Sequence, residues 1–133
     1  MVKAPDFVQQ MMSSPVVHVA PDDSVADALR AMIDRDIGAV VVVVVEDGRP
    51  VGVFTERDVS RRILDDPKFL DRWVGDVMSA PVVSVAPTDE VVFIFGLMTG
   101  KRIRRLPVVE GDRLVGIITE RDLLRWVDAV ASE

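Results

Sequence analysis

The chain contains no cysteine. Disulfides, thiol nucleophiles and cysteine-based metal sites are therefore excluded, and the absence fits a reducing compartment. It has one histidine, His18, and so no second imidazole or thiolate to complete a zinc site. Long apolar runs are missing too. The longest, Ala39–Val45, holds six consecutive valines, far short of the ~20 residues of a membrane span. β-Branched valine favours strands, so this run reads as a buried strand. The opening MVKAPDFVQQ lacks the apolar core of an export signal. The expectation is a soluble cytoplasmic protein with no membrane partner. Positive charge is in deficit, with 16 Lys and Arg against 22 Asp and Glu and a formal net charge of −6. That balance repels a phosphate backbone, so no nucleic-acid partner is expected. No nucleophile–base pair, metal cluster or Walker-type glycine loop is present, and no enzymatic activity is expected.

What is present is core material and a repeat. Of 133 residues, 49% are hydrophobic and 29% charged, a globular balance. MSSPVVHVAP (Met12–Pro21) matches MSAPVVSVAP (Met78–Pro87) at eight of ten positions. VGVFTERD (Val51–Asp58) matches VGIITERD (Val115–Asp122) at six of eight. The first offset is 66 residues and the second 64. The first copy therefore carries two extra residues, best placed near EDG (Glu46–Gly48), where the second copy has EGD (Glu110–Asp112). Both are turn sequences, and a hairpin loop tolerates a length change.

Each copy reads as β-α-β-β-α. In the first, a short strand at Pro15–Val19 precedes a helix from about Val25 to Asp34, capped by PDDS (Pro21–Ser24). The valine strand, a turn, a strand at Pro50–Thr55 and a helix from about Glu56 to Leu64 follow. The second copy repeats this with a strand at Val82–Val85, a helix from about Asp89 to Thr99, a hairpin over Leu106–Thr119 and a helix over Glu120–Ala131. The link Asp65–Met78 holds a short helix, paralleled by FVQQMM (Phe7–Met12). One such unit has a marginal core alone, and two packed face to face make a domain.

These residues resemble a tandem pair of CBS domains, or Bateman module. MSSPVVHVAP with VGVFTERDV and MSAPVVSVAP with VGIITERDL carry the resemblance. It covers almost the whole chain, as repeats 7–66 and 67–130. It implies an α/β (α+β) fold with pseudo-two-fold symmetry in a stand-alone pair. It also implies regulation or energy sensing through AMP, ADP, ATP or S-adenosylmethionine held between the repeats, a disc-like homodimer, and an effector protein acting in trans.

T-E-R-D has two readings. Thr55 with Asp58, and Thr119 with Asp122, form capping boxes. The same groups suit a nucleotide, with free amides and hydroxyl for phosphate and carboxylate for ribose hydroxyls. The resemblance assigns them the second role, with Arg57 and Arg121 inside the motif. It joins Thr55 and Asp58 to Ser79, Pro81, Val82 and Val83, and to Arg104, Arg105 and Pro107. It joins Thr119, Asp122 and Ile118 to Ser13, Pro15, Val16 and Val17, and to Ile37 and Gly38. Arg104 and Arg105 stand where the family often places phosphate clamps. The first site, having them, is expected to hold phosphate more strongly. Lys101 and Arg102 read as a solvated face.

Gly52 and Gly116 serve either tight packing or backbone approach by a ligand. The helix EVVFIFGLMTG (Glu90–Gly100) is apolar nearly all round and must be covered on more than one side. A larger core or a subunit interface through Phe93, Phe95 and Leu97 would do this. Trp73 and Trp126 read as packing anchors. The competing reading of the whole chain is a structural homodimerisation module with vestigial, non-binding sites.

Overall fold

The computed structural model describes residues 5–133. Met1–Ala4, which open the stretch read for an export signal, lie outside the described residues. The chain divides into two compact units. One is Val16–Val82, and the other joins the N-terminal stretch up to Pro15 with Val83–Glu133. Among the described residues, no helix is long and apolar enough to cross a membrane.

The unit Val16–Val82 contains β1 (His18–Val19), α1 (Val25–Arg35), β2 (Ala39–Val43), β3 (Pro50–Thr55), α2 (Glu56–Arg62) and α3 (Val74–Val77), with a 3-10 turn at Phe69–Asp71. Its sheet runs β1-β2-β3, parallel in the first pair and antiparallel in the second. Ser24 Oγ accepts from the Asp27 amide at 3.0 Å and starts α1. Val25, Ala28 and Met32 then face a core that includes Val40, Val42, Phe54, Phe69 and Val74. The valine strand ends at Val43 rather than Val45. The chain folds back beyond it, with the Gly48 amide donating to Val44 O at 2.8 Å, and leaves Val45 exposed.

The other unit contains α4 (Val91–Lys101), β4 (Arg105–Glu110), β5 (Arg113–Thr119) and α5 (Glu120–Ala131), preceded by a 3-10 turn at Val8–Gln10. β4 and β5 form an antiparallel hairpin. Gly111, at φ 63°, opens its two-residue turn, the place a type II′ turn requires glycine. The first copy has the longer loop here, Val44–Arg49 against Gly111–Asp112. The strand expected at Val82–Val85 is reduced to a bridge between Val85 and Val108. The reason is Pro107. In the first copy the Val41 amide donates to Val17 O at 3.3 Å. Pro107, at the equivalent place, has no amide to offer Val83. Val8, Val85, Val91, Ile94, Leu106, Val108, Ile118 and Leu123 form the core.

In each unit a segment from beyond the hairpin completes the sheet edge. Ser13 and Ile117 exchange backbone hydrogen bonds of 2.9 and 3.1 Å, and Ser79 and Val53 do so at 3.0 and 3.1 Å. The methionine before each serine lies on a strand glycine. A Cβ on Gly116 would stand 2.9 Å from Met12 Cγ and 3.2 Å from Ser13 O, and one on Gly52 would meet Met78 Cγ at 2.7 Å and Ser79 O at 3.1 Å. Tight packing is thus what both glycines serve. Gly52→Ala and Gly116→Ala are each expected to destabilise by about 1–3 kcal/mol. Gly96→Ala, on α4 with nothing within 4 Å of its Cβ, is expected to stabilise by up to about 1 kcal/mol. Urea unfolding of the three variants measures both signs.

Arg72 donates from Nε and Nη2 to the two oxygens of Asp66, each at 3.0 Å. This bonding holds the Asp66 carboxyl below the ordinary aspartate range and raises the Arg72 guanidinium further. A lowered folded value means stability present above the unfolded pKa of about 3.9 and lost as pH falls through the folded one. Asp66→Asn should therefore lower stability at neutral pH. In urea melts across the acid range, variant and parent should converge below about pH 4.

Candidate functional site

β5 leads straight into α5, and T-E-R-D occupies the junction. Thr119 is the N-cap, extended at φ −122°, and Asp122 is the third helical residue. The Thr119 amide and hydroxyl donate to Asp122 Oδ2 at 2.8 and 3.1 Å, and the Asp122 amide returns a 3.4 Å bond to Thr119 Oγ1. The other unit builds the same box. Thr55 N and Oγ1 donate to Asp58 Oδ2 at 2.9 and 3.0 Å, and Asp58 N reaches Thr55 Oγ1 at 3.2 Å. The capping reading therefore holds at both junctions. The Glu120 amide donates to Arg104 O and the Glu56 amide to Gly38 O, both at 2.9 Å. Two of the first three amides of each helix are thus bonded within the protein. An anion meets fewer open amides than the sequence suggested.

The carboxylates keep one oxygen less engaged. Asp122 is 6% exposed, and its Oδ1 faces Arg125 Nη1 at 3.8 Å. A depression of about 210 Å³ opens beside it, lined by Pro5, Met11, Arg125, Trp126 and Ala129. Trp126 forms its wall because Nε1 donates to Pro5 O at 2.7 Å. Asp58 is half-buried, with no ion pair among the described residues. Oδ1 of either residue can accept from a ligand hydroxyl.

Arg105 pairs directly with Thr119 across the hairpin, so the two side chains share a face. Arg104 is exposed beside it, and Arg121 is exposed on α5. Thr119, Asp122, Arg104, Arg105 and Arg121 thus gather within one unit. Ser13 joins them through its bonds to Ile117. Pro15 and Val83 fall within the same unit. Pro107 is buried, and Ile118 is a core residue with no exposed surface, so its place here is packing beneath the turn.

The unit Val16–Val82 brings Thr55, Arg57 and Asp58 together with Ser79, whose backbone bonds Val53. Pro81 and Val82 follow on that segment. Ala39 pairs with Thr55, setting Ile37 and Gly38 beside it. Val16 is half-buried, and Val17 packs on this unit's core. Basic side chains therefore flank Thr119 within its own unit, where Thr55 has Gly38 and Ala39. His18 is exposed on β1. Among the described residues no group of His, Asp or Glu is arranged to hold a metal.

Sequence reading missed Arg125 and Trp126 as neighbours of Asp122. The Asp-x-x-Arg spacing, three residues along a helix, was the available signal. It also misjudged Trp73, which is 59% exposed and anchors nothing. On α4, Phe95 and Leu97 pack on the core, with Phe95 5.7 Å from the Trp126 ring. Val92 and Phe93 are 65% and 54% exposed.

Residues 8–65 and 74–129 each match the CBS domain, and the chain belongs to that family as a tandem CBS pair. It is similar to a CBS-domain containing protein from Agrobacterium tumefaciens, with 32% identity and a TM-score of 0.82 over 94% of this chain and 95% of that one. It is likewise similar to the CBS domain pair of protein MJ0100, solved in complex with 5-methylthioadenosine and S-adenosyl-L-methionine, at 25% identity and a TM-score of 0.82 over 93% and 98% of the two chains. Among curated relatives, an uncharacterized Methanopyrus kandleri protein is 34% identical over 89% of this chain, which spans 61% of that protein's length.

The cap role is testable without ligand. Asp58→Ala and Asp122→Ala are each expected to cost about 1 kcal/mol in urea unfolding. The larger loss should fall on Asp122, whose partners are left unpaired in a drier place.

Proposed function

We propose that this protein is a regulatory module that binds an adenosine-containing ligand on its T-E-R-D turns and signals to an effector protein in trans. AMP, ADP, ATP and S-adenosylmethionine are the candidate ligands. The observation that carries the reading is the gathering of Thr119, the buried Asp122 carboxylate and Arg105 at one strand–helix junction. Asp122 Oδ1 would accept from ribose hydroxyls. Arg104 and Arg105 would meet the phosphates or, in S-adenosylmethionine, the carboxylate. Thr55 and Asp58 supply the same acceptor, with Gly38 and Ala39 in their own unit at the positions of Arg104 and Arg105; the family resemblance joins the two arginines to this turn. The adenosine ligands of the MJ0100 pair support this ligand class. Signalling requires that the ligand favour one of two conformations or assembly states, because only differential affinity shifts an equilibrium.

The second reading is a homodimerisation module whose turns act as caps alone. The exposed Val92 and Phe93 of α4 favour a partner helix there, and a second copy is the proposed occupant. Dimerisation through α4 is compatible with ligand binding, but turns that act as caps alone are not, and a ligand titration separates the two readings.

Calorimetric titration with the four candidates is the test, with thermal unfolding alongside. A specific ligand at a hundred times its Kd should stabilise by about 2.7 kcal/mol. Asp58→Ala and Asp122→Ala should each abolish binding at its own turn. Arg104→Ala with Arg105→Ala should weaken nucleotide binding at least about tenfold, since charge-assisted bonds are lost. Combining that pair separately with Asp58→Ala and with Asp122→Ala reveals which turn the arginines serve. Absence of binding by all four leaves the cap-only reading.

A further inference from the structure

Trp73 is exposed, yet its backbone is fixed. The Val25 amide donates to Arg72 O at 2.9 Å and the Val74 amide to Asp23 O at 2.8 Å, pinning the chain on both sides of it to the start of α1. The indole lines an open depression of about 350 Å³ with Lys68, Asp71, Arg72 and Asp76. The charges around it differ in availability. Arg72 is engaged by both oxygens of Asp66, so its fork is occupied. Lys68, Asp71 and Asp76 form no ion pairs among the described residues.

The repeat shows what is particular to this place. The matching segment has Phe7 where Trp73 stands, Pro5 for Asp71 and Gln10 for Asp76. Gln10 Oε1 turns back along the chain and accepts from the Phe7 amide at 2.8 Å. At α3 no side chain closes the cap, and the Asp76 carboxylate stays on the depression, where its charge also acts on the Arg72 guanidinium. One copy thus spends its third residue on the backbone. The other keeps a carboxylate beside an exposed indole.

An indole face attracts a cation, and more strongly once the cation is desolvated. Two carboxylates beside it supply acceptors, and a chain of net charge −6 draws basic partners toward it. We propose that this depression docks an arginine or lysine side chain presented by a partner protein. Arginine fits better, because its plane stacks on the indole while its edge reaches a carboxylate. Exposed tryptophan on a rigid backbone suits the anchor of a larger interface. The site uses none of the residues assigned to the adenosine ligand.

The experiment titrates the full chain with an eight-residue peptide alternating arginine and serine, read by tryptophan fluorescence and calorimetry. Lysine–serine and glutamate–serine peptides serve as comparisons. The arginine peptide should bind most tightly, the lysine peptide less so and the acidic one not at all. Trp73→Gln should weaken the arginine peptide at least about tenfold, and Asp71→Asn with Asp76→Asn at least about fivefold. Lys68→Glu should strengthen binding, a gain that misfolding cannot imitate. Asp34→Asn with Glu46→Gln removes the same charge elsewhere and should change affinity little. Equal binding by Trp73→Gln and the parent overturns the proposal. So does an equal loss in the two doubly substituted variants, or no gain from Lys68→Glu.

Discussion

The seat of a methionine on a glycine is the contact on which both units depend. Met12 lies on Gly116 and Met78 on Gly52, at a separation no Cβ would permit. That approach lets Ser13 and Ser79 bond the outer strand of each hairpin. An edge otherwise left as a row of unpaired amides and carbonyls is thereby covered. The same segments bury Val8 and Val74 completely and bond the first turns of α4 and α1. One strap precedes its hairpin in sequence and the other follows it. The compact units therefore do not coincide with the sequence repeats. The second repeat is closed by residues from the start of the chain, and the first by the link between them.

The T-E-R-D turn sits on this frame as a cap, and the function proposed for it asks a second task of the same set of atoms. Oδ2 of each aspartate is consumed by its threonine's amide and hydroxyl, which fixes the helix start and the carboxylate's direction together. What remains for a ligand is Oδ1, already aimed. Groups held by their own cap need not be ordered when a ligand arrives, so little entropy is lost there. In the proposed function capping and recognition are complementary: the cap would supply preorganisation, and the spare oxygen would supply the contact.

Where the repeats diverge, chemistry has been added to one frame and withheld from the other. Arg104 and Arg105 replace Gly38 and Ala39 beside the turn, and Pro107 replaces Val41 and removes a ladder amide. α4 has Phe93 and Gly96 where α1 has the charged Asp27 and Arg30, and Val92 where α1 has Ala26. Asp71, Trp73 and Asp76 stand where the other strap has Pro5, Phe7 and Gln10. Pro107 is buried within β4; the other changes fall on exposed or half-buried positions, while the remaining core positions keep their apolar character. Duplicated scaffolds can differentiate in this way, since packing constrains the interior and leaves the rim free.

Much of this was legible in the sequence. Two repeats, the hairpin lengths, the paired capping boxes and the start of α2 and α5 follow from local signals: turn glycines, alternation, and a threonine three residues before an aspartate. Those signals act over a few residues, which is why sequence alone determined them. Other features depended on distant pieces of chain meeting. That Gly52 and Gly116 receive a methionine, that Trp73 is bare while Trp126 is tied to Pro5, and that the arginines flank Thr119 within one unit all rest on such contacts. Tertiary structure decided these, because strand register and strap packing bring together residues separated by up to 121 positions, and no periodicity in a single sequence records that pairing.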